Sequence, residues 1–75
     1  METELFAVVA RILKVPQSEI TIDSSPKTVG SWDSLRHMRI VVAVEEDFGI
    51  EFTEDEIVSI VDMRTLSQAV ARHRS

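Results

Sequence analysis

Residues 32–49 read WDSLRHMRIVVAVEEDFG, a polar start followed by a long apolar-rich run that closes on glycine. The apolar residues recur at spacings of three and four, which predicts a helix over residues 34–48. Asp33 or Ser34 can cap this helix, because a short side-chain oxygen accepts hydrogen bonds from the free amides of a first turn. Gly49 suits the position where the helix stops. The apolar face is predicted to include Leu35, Met38, Val41, Val42, Val44 and Phe48.

The start of the chain predicts a further helix. One apolar stripe, typical of an amphipathic helix over residues 2–14, consists of Leu5, Val8, Val9, Ile12 and Leu13. Thr3 can cap its start. Val15-Pro16 ends it, because proline disfavours helical geometry in the residue before it.

Residues 17–31 are rich in Ser, Thr, Pro and Gly and are predicted to form a long loop. Within it Ile20 and Ile22 alternate with polar residues, as in a strand. No later segment offers a partner strand, so we interpret both as loop residues that reach the core.

Two capping-box patterns predict two more helices towards the end of the chain. Thr53-Glu54-Asp55-Glu56 opens a short third helix over residues 54–61, and Thr65-Leu66-Ser67-Gln68 opens a fourth over residues 66–73. The expected fold is therefore all-α: a four-helix bundle with a long first loop and a short third helix, in a single domain over residues 1–75.

Composition limits the classes of function. The chain has 75 residues, 44% of them apolar, and no cysteine, which excludes a disulfide framework and a thiolate zinc site. Residues 34–56 hold seven acidic and two basic side chains, a net charge of −5. This acidity argues against nucleic-acid binding and favours basic partner proteins. The first turn is acidic and no apolar run approaches membrane-spanning length. We therefore expect no signal peptide and no membrane anchor. The absence of cysteine fits a reducing compartment, and we expect a cytoplasmic monomer.

Ser34 is the residue whose position suggests chemistry. A serine at a helix start projects its hydroxyl beside unpaired backbone amides, where the helix dipole favours an anion such as a phosphate. Serine caps are common, so local physics alone favours a plain capping role for Ser34.

Neither histidine predicts an enzyme or a metal site. His37 shares a helix face with Ser34, but a Ser-His pair needs a third group that orients the ring, and Asp33 is too close along the chain. We expect His37 to lie on the surface or to contact a partner, and His73 to be solvated near the chain end. Two separated histidines without cysteine predict no zinc site, and Glu54, Asp55 and Glu56 lack the spacing of a calcium loop.

The motif Asp33-Ser34-Leu35, followed by an apolar helix that ends in Glu45-Glu46-Asp47-Phe48-Gly49, resembles the attachment region of acyl carrier proteins. The resemblance covers nearly the whole chain and is best from Trp32 to Asp62. It implies that a phosphopantetheinyl transferase, with magnesium, esterifies Ser34 with 4′-phosphopantetheine from coenzyme A. The arm would supply the thiol that this cysteine-free chain lacks, and catalysis would belong to acyl-loading, acyl-transfer or condensing enzymes.

The resemblance also implies roles for the surrounding residues. Asp33, Leu35 and Met38 would lie beside the arm, with Asp33 helping to cap the helix and orient the site. The partner surface would include Arg36, Arg39, Glu45, Glu46 and Asp47. Many fatty-acid carriers have acidic or neutral residues at the two arginine positions. We therefore expect a partner set other than the general fatty-acid synthase.

Four apolar residues near the site have two possible interpretations each. Trp32 is interpreted as an anchor of the loop rather than a platform for a ligand. Met38, Ile57 and Ile60 either contact the arm and its acyl chain or, as we expect, belong to the core. The Trp-Asp-Ser-Leu form resembles carriers of polyketide or mixed polyketide and peptide assembly. The alternatives are a fatty-acid carrier and an unmodified helical interaction module.

Overall fold

The computed structural model describes residues 2–74, apart from the side chain of Glu2. These residues contain four α-helices, one short 3-10 turn and no β-strand. The helices are α1 (Glu2–Leu13), α2 (Ser34–Phe48), α3 (Glu54–Ser59) and α4 (Met63–Arg74), and the 3-10 turn is Gln17–Glu19. The predicted all-α bundle with a long first loop and a short third helix is confirmed.

Helix α1 turns its predicted apolar stripe inward, and Leu5, Val9 and Leu13 are almost fully buried. The interpretation of Thr3 as the cap is wrong, because the helix already runs through that residue. At the other end Lys14 adopts a left-handed conformation, with φ 60°, and the Val15 N–H donates to the carbonyl of Ala10 at 3.1 Å. The helix therefore ends before Pro16, as predicted.

The first loop is fastened to the bundle by its own side chains and by backbone bonds. Ile20 is buried and Ile22 is half-buried, which confirms that they are loop residues reaching the core. Ser24 is also buried, and its hydroxyl accepts from the Thr21 N–H at 2.9 Å. The Ser24 carbonyl accepts from the Met63 N–H at 3.0 Å, which joins the loop to the start of α4.

Helix α2 has the predicted bounds and the predicted stop. Gly49 follows it in a left-handed conformation, with φ 64°, which glycine adopts without the steric cost of a Cβ. The buried face of α2 consists of Ile40, Val41, Ala43 and Val44. The predicted apolar face was too broad, because Leu35, Met38 and Val42 are exposed instead.

Helix α3 begins at the predicted capping box. Thr53 Oγ1 accepts from the Glu56 N–H at 3.2 Å, and Glu56 Oε1 accepts from the Thr53 N–H at 2.9 Å. The Thr53 N–H, followed by the side chain of His73, holds the pKa of Glu56 below its ordinary value. The helix ends at Ser59, two residues before the predicted end, because Ile60 is extended, with φ −82° and ψ 104°.

His73 is exposed, as predicted, but its ring also has partners within the chain. Its Nε2 lies 2.9 Å from Glu56 Oε1, and its side chain is 26% exposed. The ring meets Phe52 edge-on, with the centroids 5.5 Å apart. The last turn of α4 is therefore joined to the start of α3.

Helix α4 begins three residues earlier than predicted, because Asp62 and not Thr65 is its cap. Asp62 Oδ1 accepts from the Thr65 N–H at 2.9 Å, while Thr65 Oγ1 accepts from the Asp62 N–H at 3.0 Å. The pair forms a reciprocal box in which threonine replaces the usual glutamate. The pKa of Asp62 is lowered most by the hydrogen bond from the Thr65 N–H and next by that from the Thr65 hydroxyl. The nearby charge of Arg64 lowers it further.

Candidate functional site

Ser34 is the first residue of α2, and its side chain is exposed. The residue before it, Asp33, is the cap: its Oδ1 accepts from the Arg36 N–H at 2.8 Å. The Asp33 carbonyl also accepts from the His37 N–H at 2.8 Å, which closes the first turn of the helix. Asp33 therefore caps α2, and the Ser34 hydroxyl is exposed to solvent.

The segment that leads into Ser34 is fixed by hydrogen bonds to the end of α1 and within the first loop. The Ser31 hydroxyl donates to the carbonyl of Leu13 at 2.8 Å, which ties the segment to the end of α1. The Trp32 N–H donates to the Val29 carbonyl at 3.0 Å, and the Trp32 side chain is only 3% exposed. The interpretation of Trp32 as a loop anchor is confirmed. The backbone immediately before Ser34 is therefore fixed in position.

His37 was predicted to lie on the surface or to meet a partner, and the structure corrects this. The indole N–H of Trp32 donates to His37 Nδ1 at 3.0 Å, and His37 Nε2 lies 2.9 Å from the Ile60 carbonyl. Because the indole nitrogen only donates, Nδ1 must accept and Nε2 must carry the proton. Both ring nitrogens are engaged, so the ring has none left to act as a base for Ser34.

A surface cleft of about 440 Å³ lies beside Ser34, between the first loop, α2 and the segment that joins α3 to α4. Its walls are largely apolar. Met38 contributes to them and is 49% exposed, so its expected place in the core was wrong. Ile60 is a core residue, as expected, and Ile57 is half-buried against the core. The residues around the cleft are Pro26, Trp32, Asp33, Ser34, His37, Met38, Ile60 and Val61.

Three of these cleft residues were absent from the sequence prediction of the site: Pro26, His37 and Val61. They come from three separate parts of the chain, and no motif links them. The bond from His37 to Ile60 spans 23 residues. His37 already lies near Ser34 on the same helix face, whereas only the packing of the first loop and of the segment after α3 brings Pro26 and Val61 there.

A second feature of α2 is an exposed apolar stripe, defined by Leu35, Met38 and Val42. These side chains are 63%, 49% and 48% exposed, and their spacing of three and four places them on one face. They border a groove of about 450 Å³ whose other wall is Ile12 and Arg11 of α1. The stripe begins one residue after Ser34 and runs along the helix away from it.

The two predicted arginines differ in their surroundings. Arg36 is half-buried, and its guanidinium donates to the carbonyl of Ser31 at 3.3 Å. Arg39 is exposed and borders the groove beside the apolar stripe. Of the two cations near Ser34, Arg39 is therefore the one presented outward.

The three predicted acids at the end of α2 also differ. Glu45 is half-buried, and its Oε2 accepts from the Phe52 N–H at 2.8 Å. Asp47 forms an exposed ion pair with Arg11 at 3.2 Å. Glu46 is exposed and borders the groove at the far end of the stripe. The acid most available to a partner is thus Glu46.

The part of the chain over residues 2–74 has no helix that could span a membrane and no side-chain cluster that could bind a metal ion.

Residues 2–74 form a small helical domain with an exposed serine at the start of α2. The family described as the phosphopantetheine attachment site matches residues 3–72. The chain therefore belongs to this family: it is a carrier protein whose cofactor is 4′-phosphopantetheine.

Comparison with solved structures agrees with this fold. The solution NMR structure of holo acyl carrier protein from Geobacter metallireducens is similar, with a TM-score of 0.82 and 22% sequence identity. The match covers 95% of this chain and 82% of that one. No curated protein sequence matches significantly.

The residues at the start of α2 fit a covalently held arm. Ser34 supplies an exposed hydroxyl. The amides of the first turn and the positive end of the helix dipole favour a phosphodiester beside it. The neighbouring cleft offers apolar wall from Met38 and Val61 along which a slender arm can lie.

Proposed function

We propose that Ser34 carries the phosphopantetheine arm and that the chain holds acyl groups on it, as thioesters, for partner enzymes. The strongest support is that Asp33, and not Ser34, caps α2. Asp33 makes the capping bond, so the Ser34 hydroxyl stays exposed and free of a structural task. Membership of the phosphopantetheine attachment site family supplies the chemical class.

The attachment step is a phosphoryl-group transfer. Ser34 Oγ forms a bond to phosphorus in the pyrophosphate of coenzyme A, the pyrophosphate P–O bond breaks, and the adenosine bisphosphate part leaves. The hydroxyl proton goes to a base of the transferase, because both nitrogens of His37 are engaged. Once attached, the arm supplies a terminal thiol for thioester formation, which this cysteine-free chain cannot supply itself.

The partner surface that we propose is the exposed stripe of α2 with its two flanking charges. The stripe offers apolar contact, Arg39 lies nearer to Ser34, and Glu46 lies at the far end. A matching enzyme surface has an apolar centre, an acidic group towards the attachment site and a basic group beyond it. Such charges affect association rate and selectivity more than affinity.

This charge pattern has a direct test in the rate of arm attachment. Arg39→Glu should lower kcat/KM of the transferase reaction and change its salt dependence. Arg64→Glu is the control, because Arg64 lies on α4 in an exposed pair with Asp23. Equal effects of the two variants would contradict the proposed surface.

Polyketide or a related specialised biosynthesis is the pathway class that we propose. The Trp32-Asp33-Ser34-Leu35 motif and the outward cation Arg39 support this, and a fatty-acid synthesis carrier is the alternative. The purified holo chain should accept malonyl groups from a polyketide-type malonyl transferase. Faster loading and elongation by fatty-acid synthase components would favour the alternative.

The attachment itself is tested by intact-mass spectrometry. The purified apo chain is incubated with coenzyme A, magnesium and a broad-specificity phosphopantetheinyl transferase. We expect the mass of one arm to be added to the parent chain and to Ser18→Ala, whose serine is exposed on the 3-10 turn. Ser34→Ala should gain nothing. A parent chain that gains no mass would contradict the carrier proposal and favour an unmodified interaction module.

A further inference from the structure

His37 bridges three parts of the molecule beside Ser34. Through Nδ1 it binds the buried Trp32 of the first loop, and through Nε2 it binds the carbonyl of Ile60 after α3. The His37 ring also stacks on the indole, with centroids 6.1 Å apart and planes 25° apart. One side chain of α2 therefore holds the first loop and the end of α3 at fixed positions.

The bridge lies between the surface cleft and the core. Ile40 and Met63, which do not line the cleft, are fully buried in the core. A chain that passed from the cleft into the bundle would have to separate α2 from the end of α3. That movement breaks the bond to Ile60 and leaves a polar group of low exposure without a partner, which is costly.

The cleft in front of the bridge offers an alternative place for cargo. Met38 and Val61 are 49% and 56% exposed, so apolar surface is already available without any movement. The volume of about 440 Å³ is open to solvent on one side. Short acyl groups can lie there, whereas a long alkyl chain would remain largely in water.

We infer that His37 is a positioning residue that keeps the bundle closed beside Ser34, so that the attached acyl group stays in the surface cleft. The inference rests on the proposed function, since it concerns cargo on the Ser34 arm. It assigns to this carrier a cargo class of short or polar acyl groups that partner enzymes reach without extracting them from a core.

The test compares acetyl and octanoyl forms of the chain, made with the transferase from acetyl and octanoyl coenzyme A and verified by intact mass. Hydroxylamine cleavage of each thioester is then timed. In the parent chain we expect the two rates to agree within about twofold, because neither thioester is withdrawn from water. Methyl NMR should show octanoyl-induced shifts at Met38 and Val61, which line the cleft, and none at Ile40 or Met63, which are buried and do not line it.

Two variants test the residue itself. His37→Leu removes both bonds, and we expect the octanoyl thioester to be cleaved several-fold more slowly than the acetyl one, with new shifts at Ile40 and Met63. His37→Gln retains a donor and an acceptor and should behave as the parent. Glu45→Ala is the control for lost stability, because its bond to Phe52 lies outside the cleft.

Protection of the octanoyl thioester in the parent chain, with shifts at the core methyl groups, would overturn the inference. So would a folded His37→Leu that behaves as the parent. If His37→Leu does not fold, the relative cleavage rates of the acetyl and octanoyl thioesters in the parent chain and in His37→Gln still test the inference. If no arm is added to the parent chain, the proposed function itself fails, which intact mass distinguishes from failure of this inference alone.

Discussion

Replacing Glu45 by alanine removes a hydrogen bond that joins the end of α2 to the segment before α3. Glu45 Oε2 accepts from the Phe52 N–H at 2.8 Å, and the Phe52 side chain is part of the core. A hydrogen bond to a charged group contributes about 1.5–3 kcal/mol. For a domain of 75 residues, each kcal/mol shifts Tm by about 4–8 °C. We therefore expect Tm to fall by about 6–24 °C.

The assay is thermal unfolding followed by circular dichroism, with two comparison variants. Glu45→Gln keeps an acceptor without charge and should lose roughly half as much stability. Glu46→Ala removes the neighbouring exposed acid and should stay within about 0.5 kcal/mol of the parent. Equal melting temperatures for Glu45→Ala and Glu46→Ala would refute the structural role assigned to Glu45.

Three further predictions concern helix ends and acid stability. Gly49→Ala places a Cβ on a left-handed residue and should cost about 1–2 kcal/mol in a denaturant titration. Lys14→Gly relieves the same strain at the end of α1 and should gain up to about 1 kcal/mol in that titration; a loss of stability would contradict the reason given. Asp62 contributes stability above its ordinary pKa of 3.8, and this is lost as pH falls through the lowered folded value. Denaturant titrations across that range should therefore show a weaker pH dependence for Asp62→Asn than for the parent.

Local sequence signals predicted the helix ends where the decisive bonds are short-range. Asp33 and Thr53 cap α2 and α3 through residues only three positions away, and Gly49 stops α2 through its own backbone conformation. The start of α4 was missed because Thr65 resembles a cap in the sequence. In the structure Thr65 is the third residue of the helix. Its N–H donates to the Asp62 side chain, and its hydroxyl accepts from the Asp62 N–H.

The candidate site was only partly predictable, because residue type does not distinguish a core face from an exposed one. Val41 and Val42 are adjacent valines, yet one is buried and the other is half exposed. The role of His37 depends on Trp32, five residues away, and on Ile60, 23 residues away. No spacing rule connects these three residues, so the bridge became visible only with the packing of the bundle.

The measurement that tests the central claim most directly is localisation of the arm by tandem mass spectrometry. Trypsin should release residues 28–36, a peptide with two serines, Ser31 and Ser34. The Ser31 hydroxyl already donates to the Leu13 carbonyl, whereas that of Ser34 is exposed. The account predicts fragment ions that place the whole mass of the arm on Ser34. Placement on Ser31, or an unmodified peptide after complete incubation with the transferase, would contradict it.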